Sequence, residues 1–302
     1  MICYLKNNEI DFTKWDNCVL YSPNGLIYSY TFFLQALCDW DGLVLNDYEA
    51  VMPLPKRKKL GIDYIYNPTY AAQIGITGVN ISADVIYEFL KAIPFHFRFI
   101  QLNFNEFNII ETAKKAAVKE RINYTLNLNK PYALLAQNFT KDARKNIRQA
   151  QKHNLTAFKN IEIETVFTFY KNMYGQHLKG GVLKDFEQFI NVCKAAIKLN
   201  KGFTTGIKDA TGELLSASFW GVDGKRVYYL LGAPTDKGKK IGATYFLINH
   251  LVELYAGSNL LLDFEGSDIS SVASFYRQFS PDEKKYQLIT INRLPFYLRW
   301  FK

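Results

Sequence analysis

One run of the sequence, from Arg226 to Gly266, places a strand, a basic loop with glycines, an amphipathic helix and a second strand in that order. β-Branched and aromatic residues between Val227 and Leu231 predict the first strand. Apolar residues such as Leu247 and Leu251 recur at helical spacing after the loop. A helix that starts after such a loop presents unpaired N–H groups and the positive end of its dipole. This order therefore predicts an anion site at the loop.

The loop between Pro234 and the helix combines lysines with glycines, which let a ligand approach the backbone closely. A pyrophosphate group would fit such a loop. The residues that we expect to bind it are Leu231, Lys237, Gly238, Lys239, Lys240, Ile241, Gly242 and Ala243. The alternative interpretation is a solvated turn whose lysines only keep the protein soluble, since short glycine patterns occur often by chance.

The size and charge of the chain limit the class of protein. With 302 residues, 48% of them hydrophobic, it is long enough to form two domains with substantial cores. Its 37 basic and 28 acidic residues give a formal charge of +9. This excess favours a polyanionic partner, such as a nucleic acid, a nucleotide cofactor or an anionic lipid.

Several other classes are disfavoured. The first residues carry Lys6, Glu9 and Asp11 and lack the apolar core of a secretory signal, and no segment is apolar over the length of a membrane span. The four cysteines are scattered and the histidines have no metal-ligand spacing. We therefore expect a cytoplasmic protein with reduced cysteines and no metal.

The order of predicted elements indicates an α/β (α+β) fold built of two similar domains. From residue 124 onward we expect a strand, helices, three antiparallel strands, the loop and helix, and two more strands separated by a short helix. The first part gives a shorter series that includes a strand at Cys18–Tyr21 and a helix at Tyr30–Trp40. The predicted domains are residues 1–123 and 124–302, each a mixed, mainly antiparallel sheet flanked by helices.

The second half resembles the GNAT acyltransferase fold, and more closely its FemAB-like branch, in which two such domains are fused. The loop DKGKKIGA stands where the GNAT fold has R/Q-x-x-G-x-G/A. The stretches TLNL and KDARKNIRQAQKHN resemble a FemAB strand and its basic helix, and LDFEGSDISSVASFYRQFS resembles D-F-x-G followed by F-K-x-x-F-G. The chain departs from these patterns at Lys237, Lys240, Tyr276 and Ser280, and it lacks the long helical arm of some FemAB enzymes.

The resemblance implies an N-acyltransferase. Members of the family take acyl-CoA or aminoacyl-tRNA as donor and an amine as acceptor, and some extend peptidoglycan precursors. By this resemblance, the donor of this chain would be a CoA thioester or a charged tRNA, and the acceptor would lie between the two domains. The missing arm favours acyl-CoA. The alternative is a GNAT-fold module that has lost catalysis and binds tRNA or a nucleotide-linked ligand, since Tyr276 and Lys240 replace family residues.

Acyl transfer to an amine needs a base, a stabilised oxyanion and a proton for the leaving group, but no covalent nucleophile. Glu265 and Asp263 lie on one face where the strand after the helix ends, and we expect Glu265 to act as the base. For Asp263, a structural ion pair is an equal alternative. Tyr228, Tyr229 and Tyr276 are candidates for contacting the oxyanion or donating a proton, and Tyr276 is expected to be the most exposed of them. Buried aromatic packing is the simpler interpretation of each.

Basic residues outside the loop are candidate substrate ligands. Arg144 and Arg148 lie on a basic helix that could contact phosphates, although such a charged face is more often merely solvated. Arg277 could supply the charge of the missing family lysine one position along. The run KRKK at Lys56–Lys59 is most simply a solvated hairpin turn, with tRNA or membrane contact as the alternative.

Overall fold

A computed structural model of the protein describes residues 1–110, 116–266 and 268–298. Two compact units make up this structure. The first combines Met1–Arg121 with the residues from Lys285 onward, and the second is Ile122–Lys284. The division into domains at residues 123 and 124 stays a prediction, and the two units differ from it in grouping the last strand mainly with the first unit.

The first unit begins with short elements around one mixed sheet. Its elements in chain order are β1 (Ile2–Leu5), α1 (Phe12–Tyr21), α2 (Thr31–Leu37), β2 (Trp40–Leu45), β3 (Ala50–Lys59), β4 (Ile62–Ile65), β5 (Thr77–Gly78), α3 (Ala83–Ala92) and β6 (Phe99–Phe104). Neighbouring strands run in the order β1-β2-β3-β4-β6, antiparallel except for the parallel pair β4 and β6.

Two predictions for this unit are wrong. Cys18–Tyr21 belongs to α1 and is not a strand, because Asp11 caps that helix through the N–H groups of Thr13 and Lys14. The run Lys56–Lys59 continues strand β3 and is not a hairpin turn. The turn itself is formed by Leu60 and Gly61, both with positive φ.

The second unit follows the element order that the sequence predicted. Its elements are β7 (Ala117–Asn127), α4 (Tyr132–Asn138), α5 (Lys141–Gln151), β8 (Thr156–Lys159), α6 (Ile163–Tyr174), α7 (Gly180–Lys198), β9 (Gly202–Lys208), β10 (Leu214–Val222), β11 (Arg226–Pro234), α8 (Asp236–Lys240), α9 (Ala243–Tyr255), β12 (Leu261–Asp263), α10 (Ser270–Arg277) and β13 (Asp282–Asn292). The first residues of β7 and most of β13 belong to the first unit, where β13 pairs with β6.

The sheet of the second unit has the strand order β7-β12-β11-β10-β9-β8. All of its neighbouring pairs are antiparallel except β11 and β12, which are parallel. The core contains Val227, Leu262 and Phe264 from the strands, and Leu247 and Leu251 from α9. Helices α5 and α9 pack on each other, and α6 packs on β10 and β11. The predicted fold class, a mixed sheet flanked by helices in each half, is thus confirmed.

Candidate functional site

The lysine loop forms a short helix that the sequence did not predict. Thr235 caps α8, accepting a hydrogen bond from Gly238 N with its hydroxyl at 3.0 Å and from Lys239 N with its carbonyl oxygen at 2.8 Å. The amide of Ile241 bonds to the carbonyl oxygen of Lys237 at 3.2 Å, and that of Gly242 to the carbonyl oxygen of Lys239 at 3.4 Å. The expectation that these amides are unpaired is therefore wrong.

Two residues of the loop have structural roles instead. A Cβ on Gly238 would lie 2.2 Å from the carbonyl oxygen of Leu215, so glycine is needed here for contact with β10 and not for approach of a ligand. The ammonium of Lys237 binds both Asp209, at 2.7 Å, and Glu213. These two carboxylates raise its pKa and turn this lysine toward the β9–β10 connection.

The start of α9 keeps the features of an anion site. Gly242 adopts the left-handed conformation, with φ of 80°, and caps the helix without a side-chain hydrogen bond. The first amide with a helical acceptor is that of Phe246, bonded to the carbonyl oxygen of Gly242. Ala243 and Leu231 are buried, whereas Lys239 and Lys240 are exposed on the preceding turn. The features of an anion site are therefore confined to the first turn of α9 and these two lysines.

Strands β11 and β12 diverge beyond Tyr228 and Asp263, and we call this place the fork. Their parallel pairing covers only Arg226–Tyr228 and Leu261–Asp263, after which β11 continues to Pro234 while β12 ends. The register of β10 against β11 also shifts by one residue between Phe219 and Trp220, which leaves Leu230 as the extra residue of a bulge. Beyond Tyr228, β11 is therefore no longer paired with β12.

A buried polar network holds the closed side of the fork. The guanidinium of Arg226 lies 2.8 Å from Asp263 Oδ2, and the other carboxylate oxygen of Asp263 accepts a hydrogen bond from Glu265 N at 2.8 Å. Asp223 accepts hydrogen bonds from the Tyr228 hydroxyl and from the Arg226 amide. Asp263 is thus a buried, ion-paired carboxylate, as the structural alternative expects, and a catalytic role for it stays a prediction.

Glu265 stands at the open side of the fork, directly after β12. It adopts a left-handed backbone conformation with φ of 65°, and so does Gly266 with φ of 66°. A Cβ on Gly266 would lie 2.1 Å from the carbonyl oxygen of Ile122, so the chain passes close to β7 here. Glu265 is half-buried and makes at least one further hydrogen bond or electrostatic contact. Its position, held by the Asp263 carboxylate, is compatible with the predicted role of base.

Tyr276 is buried, in agreement with the interpretation as aromatic packing, but it is less exposed than Tyr229, contrary to the expected order. Its ring lies 5.0 Å from that of Phe264 and 6.3 Å from that of Tyr124. Burial raises its pKa well above 10, and the neighbouring Tyr229 and Glu265 raise the pKa further. Tyr276 therefore keeps its proton at neutral pH and can donate a hydrogen bond.

Tyr229 also belongs to the fork. Its ring packs on Trp220 at 4.7 Å, and a Cβ on Gly232 would lie only 2.2 Å from its hydroxyl oxygen. Glycine at position 232 thus leaves room for the phenol to lie along β11. Burial raises the pKa of Tyr229, and Tyr174 and Tyr170 add to that effect.

The sequence analysis missed two tyrosines of this site. Tyr170 and Tyr174 lie one turn apart on α6 with their rings 5.0 Å from each other, and both contribute to the raised pKa of Tyr229 and Tyr276. The i, i+4 spacing predicts that they share a helix face, but not which strand that face meets. We call Tyr170, Tyr174, Tyr229 and Tyr276 the tyrosine cluster.

The predicted basic ligands lie elsewhere in the second unit. Arg277 forms an ion pair with Glu283 at 3.0 Å, and its guanidinium stacks over Tyr124 at 5.4 Å. Arg144 donates a hydrogen bond to the carbonyl oxygen of Gln137, whereas Arg148 is exposed on α5. The structure therefore supplies local partners for Arg277 and Arg144 and leaves Arg148 on the surface.

A cavity in the second unit lies away from the loop and the fork. A polar cavity of about 310 Å³ in the second unit includes no residue of the loop or the fork, and is lined by Leu126, Asn127, Asn129, Lys130, Leu135, Asn138, Ser280 and Asp282.

Across residues 1–110, 116–266 and 268–298, no group of three histidine, cysteine, aspartate or glutamate side chains is placed to hold a metal ion. Nor does any helix there have the length and apolar character needed to cross a bilayer.

Solved structures share this fold over nearly the whole chain. FemX superposes with a TM-score of 0.68 at 14% identity, covering 92% of this chain and 96% of FemX. L-PGS from Bacillus licheniformis gives a TM-score of 0.56 at 13% identity, with 94% of this chain and 92% of L-PGS covered. A tandem GNAT protein from the clavulanic acid biosynthesis pathway gives 0.53 at 9% identity, with 98% and 99% covered. No protein-family model and no curated protein matches the sequence. The likeness thus shows the fold, which is the tandem GNAT fold of FemX-like proteins.

Proposed function

We propose, from the tandem GNAT fold that this chain shares with FemX, that the protein is an N-acyltransferase acting at the fork of its second unit. The donor would be a CoA thioester or an aminoacyl-tRNA, and the acceptor an amine, such as that of a peptidoglycan precursor. The protein would act in the cytoplasm, and the two domains would divide at residues 123 and 124. The observation that carries the proposal is that the ring of Tyr276 packs at 5.0 Å on Phe264, the residue before Glu265, where β12 ends and β11 continues.

The chemistry assigned to these residues is direct transfer. The amine nitrogen attacks the carbonyl carbon of the donor, and Glu265 accepts the proton that the nitrogen releases, directly or through a water molecule. When the tetrahedral intermediate collapses, the bond from carbon to sulfur or to ribose oxygen breaks. The leaving atom then takes a proton from the phenol of Tyr276 or Tyr229. Both phenols carry a proton at neutral pH, since the ordinary tyrosine pKa of 10.0 already lies above neutral and burial raises theirs further. The proton that Glu265 accepted then returns through water to the phenolate, which restores both groups.

The donor would lie along the open edge of β11, with its phosphates near the first turn of α9. Gly242 leaves that turn without a side-chain cap, and Lys239 and Lys240 add positive charge beside it. The capped amides of α8 take no part in this scheme. Phosphate binding thus depends on the start of α9 and two exposed lysines, a smaller site than the sequence predicted.

A second candidate function is a binding module without catalysis. The internally capped loop favours it, since Lys237 is held by Asp209 and Glu213. Such a module would bind tRNA or a nucleotide-linked ligand but transfer nothing. The two functions therefore differ in turnover and not in binding.

The test is a transfer assay with the full chain. Acetyl-CoA, longer acyl-CoA species and aminoacyl-tRNA are each incubated with a panel of amines, and release of free thiol or deacylated tRNA is followed together with the amide product. We expect one donor class to raise the melting temperature and to be consumed only when an amine is present. Glu265→Gln should lower kcat by at least about 100-fold without loss of fold. Binding without turnover in the whole panel supports the binding module, and absence of both refutes the two proposals.

A further inference from the structure

Two arginines of the first unit lie directly opposite each other on neighbouring chain segments. Strands β6 and β13 are antiparallel, with Phe99 opposite Asn292, and the amide of Arg293 donates a hydrogen bond to the carbonyl oxygen of Arg98 at 2.8 Å. The next pair in this register is therefore Arg98 and Arg293, which we call the arginine pair. Like charges directly opposite each other on antiparallel strands are destabilising. The fold thus holds two positive charges side by side at a cost in stability.

Both guanidinium groups lie over one exposed ring. The guanidinium carbon of Arg98 is 4.7 Å from the centroid of the Phe95 ring, and that of Arg293 is 5.5 Å from it. Phe95 belongs to the turn between α3 and β6, and it is 69% exposed. A cation over an aromatic ring is held by the ring quadrupole, an attraction that does not require its N–H groups. The ring therefore positions the arginine pair without using up its hydrogen-bond donors.

Protein carboxylates do not neutralise the arginine pair. In the part of the chain that the structure describes, neither guanidinium forms an ion pair, and that of Arg98 has no hydrogen-bond acceptor. Asp63 lies next to Arg98, whose amide donates to the Asp63 carbonyl oxygen at 3.0 Å. The carboxylate of Asp63 pairs instead with Lys58, at 3.9 Å. Two positive charges therefore remain without a protein counterion.

Arg293 is anchored by backbone carbonyl oxygens. Its Nη1 atom donates to the carbonyl oxygens of Ile93, Pro94 and Phe97, at 3.2, 2.9 and 3.4 Å. A guanidinium has five N–H groups, so those on Nε and Nη2 remain for another acceptor. Burial and, after it, the charge of Arg98 lower the pKa of Arg293. A neighbouring anion would offset both effects, because it favours the charged form.

We propose that the arginine pair binds a phosphate group. A phosphate monoester carries a charge of about −1.5 to −2 near pH 7 and has three acceptor oxygens, so it matches two guanidinium groups in charge and in hydrogen bonding. The site lies in the first unit and does not depend on the proposed transfer at the fork. Two sources can supply the group: a soluble phosphate ester, or the headgroup of a phospholipid, whose apolar part would meet the exposed ring of Phe95.

The first test is calorimetric titration of the full-length protein with inorganic phosphate, at neutral pH and constant ionic strength. We expect Arg98→Gln to weaken phosphate binding about tenfold or more, since it removes charge-assisted hydrogen bonds. Arg148→Gln is the matched control, because it removes one exposed arginine of the second unit and should leave the affinity unchanged. Thermal unfolding in phosphate-free buffer verifies that both variants are folded. Equal affinity of wild type and Arg98→Gln, or no binding to either, would overturn the proposal.

The first turn of α9 is a second candidate for phosphate, so the titration is repeated with the double variant Lys239→Gln, Lys240→Gln. This variant removes the charge beside α9 and should retain the binding that Arg98→Gln loses. If the double variant loses phosphate binding while Arg98→Gln retains it, the phosphate belongs to α9 and the arginine pair is not a site. The transfer assay is independent of these titrations, so each proposal can fail without the other.

Two further ligands separate the sources of the phosphate. Glycerol 3-phosphate represents a soluble ester, and phosphatidylcholine vesicles that contain phosphatidic acid present the same group at a membrane. Cosedimentation with these vesicles that falls in Arg98→Gln and Phe95→Ser, and falls less in Arg148→Gln, assigns the phosphate to a lipid. Binding of the ester that falls in Arg98→Gln while cosedimentation stays unchanged assigns it to a soluble ligand. If Arg98→Gln changes neither, the proposal is refuted.

Discussion

The guanidinium of Arg226 and the carboxylate of Asp263 form an ion pair at 2.8 Å, with side chains only 5% and 2% exposed. The pair runs from Arg226, the first residue of β11 that pairs with β12, to Asp263, the last residue of β12, which lies opposite Tyr228. The second carboxylate oxygen of Asp263 accepts a hydrogen bond from the amide of Glu265. The same carboxylate therefore links the two strands and orients the proposed base. The side chain of Asp263 thus contributes both to the stability of the sheet and to the position of the proposed base.

Removing one member of this pair should be costly. Asp263→Ala removes the carboxylate that pairs with the buried guanidinium of Arg226, which costs about 3–5 kcal/mol of unfolding free energy. The double variant Arg226→Met, Asp263→Leu removes both charges and should recover most of the loss. Urea denaturation followed by circular dichroism measures both values. A loss below about 1 kcal/mol for Asp263→Ala would show that the pair is not buried in solution.

Two glycine substitutions should separate packing from backbone conformation. Gly238→Ala places a methyl group 2.2 Å from the Leu215 carbonyl oxygen, a backbone atom that cannot turn aside, and should destabilise the protein by about 2–3 kcal/mol. Gly257→Ala meets open space and should cost only about 1 kcal/mol, because φ there is 78°. Chemical denaturation compares the two. Equal losses would show that α8 does not press on β10.

Gly232 and Tyr229 should be energetically coupled. Gly232→Ala moves the phenol of Tyr229 off β11, since the added Cβ would lie 2.2 Å from its hydroxyl oxygen. The change should lower kcat of the proposed transfer by about tenfold or more, because the phenol no longer faces the fork. In a double-mutant cycle with Tyr229→Leu, the effects on stability should be non-additive by at least about 0.5 kcal/mol. Additive effects on stability would show that the phenol of Tyr229 does not lie against Gly232.

Substitutions of Lys240 and Lys237 should differ in their effect on the KM for the donor. Lys240 is exposed beside the start of α9, so Lys240→Glu should raise the KM for a phosphate-bearing donor by about tenfold. Lys237 is occupied by Asp209 and Glu213, so Lys237→Ala should leave that KM within about twofold. Steady-state kinetics at low ionic strength compares them. A larger effect of Lys237→Ala would mean that the lysine leaves its acidic partners and binds the donor.

The buried tyrosines predict a loss of stability in alkaline solution. Burial raises the pKa of Tyr276 and Tyr228 well above the ordinary value of 10.0. In the unfolded chain these phenols ionise near pH 10, whereas in the folded protein they stay neutral, so unfolding releases protons there. Their contribution to stability is complete below pH 10 and is lost as the pH rises further. Urea denaturation between pH 8 and 11 should show this fall, and Tyr276→Phe should reduce its slope.

Local patterns determined much of this protein. Helical spacing identified the buried face of α9, and hairpin spacing identified β9, β10 and β11, because each signal lies within a few residues of the chain. The order of these elements in the second half, together with the DKGKKIGA loop and the stretches that resemble FemAB motifs, predicted the tandem GNAT fold. In the first unit the short apolar run at Cys18–Tyr21 is compatible with the spacing of a strand and with that of a helix. In the structure it is part of a helix whose buried residues, Trp15 and Val19, lie one turn apart.

Tertiary structure alone decided which polar groups of the site are occupied. Nothing in the sequence near Asp263 indicates that Arg226, 37 residues earlier, neutralises it, or that Thr235 caps the amides predicted to be unpaired. The contact between the rings of Tyr124 and Tyr276, 6.3 Å apart, likewise depends on how α10 packs on the sheet. The physical reason is range: periodicity and capping act between neighbours in the chain, whereas the charge and hydrogen bonding of a buried site are set by residues that only the fold brings together.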